Sequence, residues 1–180
     1  MGNIAKTLTY YLESEEGMSG DEFITTLAYS VLVEKVEIVS LNHAPLLSGT
    51  KLLKDDRDVL HPITDSNELI SNTAKVFELR KRSGSLVTDI FVGRAPTNDI
   101  ILANPWVSKS HLRFTSTLRT KHYKLVDMFS TNGTYLNGKK IYPFEKHQVE
   151  DHDEISLGTA YKLIYYSPQA FYEMLIGLKA

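Results

Sequence analysis

The sequence predicts a mainly β protein, an antiparallel sandwich or barrel, with a helical segment before it and a helix after it. From Lys75 onward, runs rich in β-branched and aromatic residues recur about every 8 to 12 residues, the spacing of strands in all-β folds. Asn132-Gly133 and Asn137-Gly138 separate such runs and favour tight turns. Apolar and polar residues alternate in places, as in residues 77–79, so one face of these strands is buried.

Composition narrows the class of protein. The 180 residues, 42% hydrophobic and 23% charged, fit one globular domain with an extension. The net charge of -2 provides no general field for nucleic acid or an anionic membrane, so we expect neither as a partner. Because there is no cysteine, disulfides and thiolate chemistry are excluded, and we expect a cytoplasmic protein, or a nuclear one in a eukaryote.

Residues 1–70 form an N-terminal α/β extension whose fold the sequence does not define. Ser19 and Glu22 fit a capping box, and apolar residues then follow at helical spacing, which predicts a helix from about residue 20 to 34. β-branched residues at 36–39 predict a short strand.

The β-rich part carries the other predicted elements. The predicted strands run from Lys75 to Arg80, Leu86 to Val92, Ile100 to Leu102, His111 to Ser116, His122 to Met128, Thr134 to Leu136, Ile155 to Leu157 and Tyr161 to Tyr166. After them, Ser167 and Pro168 can cap and begin a helix with apolar residues on one stripe. We therefore assign residues 75–167 to the β domain and 168–180 to a C-terminal helix.

Three short motifs stand in order, each where a predicted strand meets a loop. They are Gly93-Arg94, then Ser108 with His111 three residues later, then Ser-Thr-Asn-Gly-Thr at 130–134. Further positions of the same pattern are Asn98, Asp99, Ile100, Asp127, Asn137, Gly138, Asp151, Asp153, Ile155, Leu157 and Gly158. With these residues, the region from Lys75 to Ser167 resembles a forkhead-associated (FHA) domain. One departure is His152, where the family commonly has glycine between the two acidic residues.

The resemblance implies an antiparallel β-sandwich of about eleven strands, FHA/SMAD-like, that binds phosphothreonine peptides with the loops at one end. It implies a binding protein and not an enzyme, without cofactor or metal. The expected partner is a phosphothreonine-containing protein, the substrate of a Ser/Thr kinase, and the expected role is that of a small stand-alone adaptor of bacterial type. The alternative is a phosphate-independent scaffold that uses the sandwich and the N-terminal region.

The matching residues have the chemistry that a phosphothreonine requires. The phosphate carries about -1.5 to -2 charges and three strong acceptor oxygens, which an arginine fork and hydroxyl donors can hold. Arg94 supplies the fork, and Ser108 and Thr131 supply hydroxyl groups. Lys109 can reach the same anion through its backbone or its ammonium group. In the role that the family assigns to it, Asn132 clamps the backbone of the bound peptide.

Other residues at these loops are expected to support the site. In the family, the residue at the position of His111 ties the two binding loops together, and Gly93 and Gly133 shape them. Trp106 is either a core residue or a peptide contact that determines selectivity. In the family, the loop before the position of Ser108 contributes to choosing the residue about three positions after the phosphothreonine. As a contact there, Trp106 favours an aliphatic, aromatic or basic residue, because an indole has no charge to pair with an acidic one.

Two chemical alternatives are less well supported by the sequence. Ser108, His111 and Asp127 could form a hydrolytic triad, but no G-x-S-x-G elbow is present. The acidic residues at 151–154, with His147 nearby, could suggest a metal site, but adjacent residues on a tight turn point in different directions.

Overall fold

A computed structural model describes residues 5–35, 60–62, 69–82, 89–116 and 122–179. Its strands are β1 (Lys6–Thr7), β2 (Val31–Lys35), β3 (Leu60–Pro62), β4 (Leu69–Ser71), β5 (Lys75–Glu78), β6 (Ile90–Gly93), β7 (Ile100–Ile101), β8 (Leu112–Ser116), β9 (Tyr123–Asp127), β10 (Thr134–Leu136), β11 (Lys139–Lys140), β12 (His147–Gln148), β13 (Glu154–Leu157) and β14 (Tyr161–Tyr166). Its helices are α1 (Leu8–Ser14), α2 (Gly20–Leu27) and α3 (Pro168–Lys179).

The strands form two sheets that share one apolar core. One sheet has the order β1-β5-β2-β14-β13-β10-β11 and the other the order β12-β9-β8-β6-β7, while β3 and β4 pair as a separate hairpin. Every pair of neighbouring strands is antiparallel except β6 with β7, which is parallel. Leu32 and Ile155 of the first sheet pack in the same buried cluster as Phe114 and Leu125 of the second. These observations confirm the predicted mainly β fold and its sandwich architecture.

A second buried cluster lies on the other face of the first sheet, where the helices cover it. Val31 and Val33 of β2 join this cluster together with Phe23 of α2 and Phe171 of α3, while Leu32 faces the core between the sheets. Since both faces of β2 are covered at its start, Val31, Leu32 and Val33 form a continuous apolar run instead of an alternating one.

The predicted helix from residue 20 to 34 is too long. The capping box is present, with the Glu22 amide donating to Ser19 Oγ and the Ser19 amide donating to the Glu22 carboxylate. The helix ends at Leu27, because Ala28 adopts a left-handed conformation with φ of +58°. The apolar residues that seemed to prolong it belong to β2, since a short apolar run does not distinguish a buried strand from a buried helix.

Strand β2 is central to the sandwich, although the sequence places it in the N-terminal extension. Leu32 is opposite Phe77 of β5, and Tyr165 of β14 is opposite Leu32 on the other side. Residues 31–35 are therefore part of the sandwich sheet, and the separation of residues 1–70 from the rest stays a prediction. The predicted strand at 36–39 lies outside the described residues.

Each predicted strand after residue 75 overlaps an observed strand: the bounds agree for β10 and β14, and the other ends differ by one to a few residues. The first residues of the predicted strand from Leu86 to Val92, residues 86–88, lie outside the described ranges. The C-terminal helix is confirmed: α3 begins at Pro168, and the Ala170 amide donates to Ser167 Oγ at 3.3 Å. In the ranges that the structure describes, no helix has the length and apolar character needed to cross a membrane.

Candidate functional site

The residues predicted to bind ligand come together on loops at one end of the sandwich. Arg94 follows β6, Ser108 precedes β8, and Thr131 and Asn132 precede β10. The Arg94 amide donates to the Ser108 carbonyl at 2.9 Å, and the Thr131 amide donates to Ser108 Oγ at 3.0 Å. Asn132 Nδ2 donates to the Trp106 carbonyl at 2.8 Å. Hydrogen bonds thus join the three loops into one surface.

Glycine at position 93 allows the first two loops to approach each other closely. A Cβ atom at Gly93 would lie 2.5 Å from the Lys109 carbonyl oxygen. That oxygen accepts hydrogen bonds from Asn98 Nδ2 at 2.6 Å and from the Ala95 amide at 3.1 Å. Asn98 is buried, so its side chain fixes the loop that carries Lys109. A side chain at position 93 would displace this loop.

His111 is completely buried and joins the second loop to the third. Its Nδ1 accepts the Ser108 amide at 3.0 Å, so its Nε2 carries the proton and faces the Gly133 carbonyl at 3.3 Å. Burial lowers the pKa of the imidazole, and the contact with Gly133 and the charge of Asp127 only partly oppose that shift. The ring is therefore neutral near pH 7, with both nitrogens bonded to loop backbone.

Asp127 shapes the third loop and does not complete a hydrolytic triad. Its buried carboxylate accepts the Ser130 amide at 3.0 Å, the Ser130 hydroxyl at 2.6 Å and the Thr134 hydroxyl at 2.5 Å. His111 uses both ring nitrogens for backbone groups, so neither is left to take a proton from the Ser108 hydroxyl. Gly133, with φ of +77°, turns the chain between the loop and β10.

The exposed groups of the site are suited to an anion. The Arg94 side chain is exposed, and its Nε donates to the Val107 carbonyl at 3.2 Å, which orients the guanidinium. Within the described ranges, no carboxylate forms an ion pair with Arg94. Lys109 and Thr131 are also exposed at this surface, and Ser108 is half-buried. The guanidinium of Arg94, the ammonium group of Lys109 and two hydroxyl groups therefore lie together at one end of the sandwich.

Trp106 does not belong to the core. Its side chain is 57% exposed, and its carbonyl oxygen holds the Asn132 amide. The indole is thus available at the edge of the site, next to the loop that carries Asn132. Its effect on selectivity stays a prediction.

The acidic turn before β13 is a structural element. The Glu150 amide donates to the Asp153 carboxylate at 2.8 Å, and Asn137 Nδ2 donates to the same carboxylate at 2.7 Å. His152, which replaces the glycine of the family pattern, has φ of +71° and packs its ring edge-on against Tyr166. In the described part of the chain, no group of three or more His, Asp or Glu side chains is arranged to hold a metal.

Sequence reasoning did not assign roles to several residues around the site. Asn98 matches the family pattern, but its function as the buried brace of the Lys109 loop depends on contacts 11 residues apart. Phe129 and Phe144 lie in loops and are strongly exposed. No periodic pattern could have indicated their exposure, because neither residue belongs to a strand or helix.

Fold and site together define a class of protein, a β-sandwich that presents a polar recognition surface on the loops at one end. Residues 90–158 match the family model of the FHA domain. This part of the chain is an FHA domain.

One protein compared by sequence and two solved structures are similar to this chain. The chain is 30% identical over 95 residues to the FHA domain-containing protein PS1 of Arabidopsis thaliana, a match that covers 48% of this chain and 6% of the plant protein. The N-terminal FHA domain of Rad53p from S. cerevisiae, solved with a phosphothreonine peptide, is 22% identical with a TM-score of 0.45, covering 54% of this chain and 88% of that one. The MEK1 FHA domain is 18% identical with a TM-score of 0.48, covering 83% of this chain and 99% of that one.

Proposed function

We propose that this protein is an adaptor in Ser/Thr-kinase signalling that binds phosphothreonine-containing proteins through the loops at the end of its FHA domain. The observation that supports this function best is the exposed guanidinium of Arg94, without a carboxylate partner in the described ranges, beside the bonded pair Ser108 and Thr131. In this proposal, the protein acts in the cytoplasm, or in the nucleus of a eukaryote, and has no catalytic activity of its own.

The phosphate group would be held by charge and by directed donors. With Arg94 Nε bonded to the Val107 carbonyl, the two terminal nitrogens can donate to two phosphate oxygens. Ser108 Oγ accepts the Thr131 amide and donates to Thr131 Oγ1 at 3.3 Å, and its proton can exchange that long bond for one to a third phosphate oxygen. Lys109 adds a positive charge at the edge of the phosphate site. Two or three charge-assisted bonds provide about 4 to 8 kcal/mol before the loss of entropy on binding, the range of millimolar to micromolar dissociation constants. Contacts with the peptide backbone must therefore add to them in a micromolar, reversible complex.

The peptide backbone would be held by Asn132. Its Nδ2 bond to the Trp106 carbonyl fixes the plane of the amide and leaves Oδ1 and the second N–H free for a ligand. Because His111 and Asn98 already hold the loops in place, little conformational entropy is lost when a peptide binds.

The test is a titration with a phosphothreonine peptide selected from a phosphothreonine peptide library and with an unphosphorylated peptide of the same sequence. The wild-type protein should bind only the phosphorylated peptide. Arg94→Ala should weaken binding by at least about tenfold, since it removes two charge-assisted bonds. The matched control is Lys124→Ala, which removes an exposed cation from strand β9 and should leave binding unchanged.

Two results would refute the proposed function. One is equal binding of the phosphorylated and unphosphorylated peptides. The other is an Arg94→Ala protein that retains wild-type affinity while its circular dichroism spectrum shows the native fold.

A further inference from the structure

Three aromatic side chains near the binding loops are exposed, and the proposed phosphate site uses none of them. Phe129 is 77% exposed, Tyr142 is 69% exposed and Phe144 is 62% exposed. The Phe144 amide donates to the Asp127 carbonyl at 2.9 Å, so the turn with Tyr142 and Phe144 lies against the start of the loop that carries Phe129. We call these three residues the aromatic rim.

Folding does not explain the two phenylalanines of the rim. Phe129 has φ of +60° and Phe144 has φ of +66°, a left-handed conformation that glycine and asparagine adopt easily and bulky residues avoid. An exposed ring also gains little of the apolar burial that stabilises a fold. Both positions therefore carry a residue that is unfavourable for the backbone and is not buried. Residues held in such conformations cluster at sites of function.

The location of the rim indicates which molecule covers it. Phe129 lies two residues before Thr131, in the same loop, and Ser130 between them is bonded to Asp127. Phe129 thus shares its loop with Thr131, and the rim is continuous along the chain with the proposed phosphate site. An exposed aromatic surface in water is complemented by apolar side chains.

We propose that the aromatic rim is a second contact surface for the phosphorylated partner, and that it binds an aliphatic or aromatic side chain located near the phosphothreonine in the partner sequence. This inference rests on the proposed function. It assigns two tasks to adjacent surfaces: Arg94 and Ser108 recognise the phosphate, and Phe129 and Phe144 recognise an apolar neighbour.

The test uses asparagine substitutions, because asparagine tolerates the left-handed backbone and removes the ring. Phe129→Asn and Phe144→Asn should fold with an unchanged or higher thermal midpoint. The matched control is His152→Asn, which makes the same kind of change at φ of +71° in the turn before β13. The ligands are phosphothreonine peptides in which each position near the phosphothreonine is either leucine or serine.

The wild-type protein should prefer leucine at one or more of these positions. Phe129→Asn and Phe144→Asn should each weaken binding of the leucine peptide by about five- to tenfold, as expected for part of a buried ring. They should leave the serine peptide nearly unchanged, and the His152→Asn protein should behave like wild type.

Four results would overturn the inference. If wild type binds phosphothreonine peptides but shows no leucine preference, or if both rim variants retain that preference, the rim is not a partner contact and the proposed function stands. If sedimentation velocity shows self-association that Phe144→Asn abolishes without any peptide, the rim binds a second copy of this chain. If wild type binds no phosphothreonine peptide, the proposed function itself fails and this inference fails with it. If Phe129→Asn lowers the thermal midpoint, its binding data are not used, and the binding of the leucine and serine peptides to Phe144→Asn alone tests the inference.

Discussion

Replacing Gly93 by alanine should disrupt both the stability of the domain and its binding loops. The new Cβ would lie 2.5 Å from the Lys109 carbonyl oxygen and 3.0 Å from Asn98 Nδ2, whereas ordinary contacts begin at 3.4 Å. Gly93 ends strand β6, and the opposing atom is backbone that is held by two hydrogen bonds. No flexible side chain can move aside, so the loop itself must shift by about 0.9 Å, the difference between 3.4 and 2.5 Å.

The magnitude follows from the bonds that this shift breaks. The Lys109 carbonyl would separate from Asn98 Nδ2, now at 2.6 Å, or from the Ala95 amide, now at 3.1 Å. Asn98 is buried, and a buried polar group left without a partner costs about 1 to 3 kcal/mol. Adding overpacking, we expect Gly93→Ala to lower the free energy of unfolding by about 2 to 4 kcal/mol.

The affinity for a phosphothreonine peptide should also decrease, because Ser108 directly precedes Lys109, the residue that the new Cβ displaces. Its carbonyl accepts the Arg94 amide at 2.9 Å, so a shift of this loop separates the hydroxyl from the guanidinium. We expect at least about tenfold weaker binding of a phosphothreonine peptide, the loss of one charge-assisted bond.

The assays are urea unfolding followed by circular dichroism and fluorescence anisotropy with a labelled peptide. Gly177→Ala is the control: position 177 lies exposed in α3 with nothing within 4 Å of a new Cβ. Alanine there should stabilise the protein by about 0.5 to 1 kcal/mol and leave binding unchanged. A Gly93→Ala protein within about 0.5 kcal/mol of wild type would refute the close approach of the two loops.

Three further predictions concern pH and selectivity. Burial lowers the pKa of His111 below the ordinary 6.5, so the unfolded state binds a proton first as pH falls, and the free energy of unfolding should decrease below that pH. In urea unfolding, His111→Gln should reduce this pH dependence, and an unchanged dependence would contradict the prediction. Peptide affinity, measured by anisotropy, should decline below about pH 6, where the phosphate becomes a monoanion and offers Arg94 less charge, so constant affinity from about pH 5 to 7.5 would contradict phosphate recognition. A phosphothreonine peptide library should select an aliphatic, aromatic or basic residue three positions after the phosphothreonine, and Trp106→Ala should weaken that selection; acidic residues selected equally by both proteins would place selectivity elsewhere.

Much of the β domain could be predicted because its signals are local. Alternation in residues 77–79 and turn pairs such as Asn137-Gly138 depend on neighbours within a few positions. The structure places a strand in each predicted run and a helix at Pro168. The motif residues also lie at loop junctions, and their resemblance to the family pattern implied that Arg94, Ser108 and Asn132 face one surface.

Local signals failed where partners are distant in sequence. Residues 31–33 are apolar without alternation, and only their pairing with β5 and β14, more than 40 and 130 residues away, makes them a central strand. A helix prediction that ends at Leu27 would have required knowledge of those partners.

The sequence by itself determined which residue types are available for anion recognition, because fork, hydroxyl and amide chemistry belong to the side chains of Arg94, Ser108 and Asn132. The tertiary structure alone decided what each one faces. His111 is a neutral brace because Ser108 and Gly133 reach it from two loops, and Trp106 and Phe129 are exposed because nothing in the described chain packs over them. Burial is a property of the surroundings, and those surroundings are brought together by strands that are far apart along the chain.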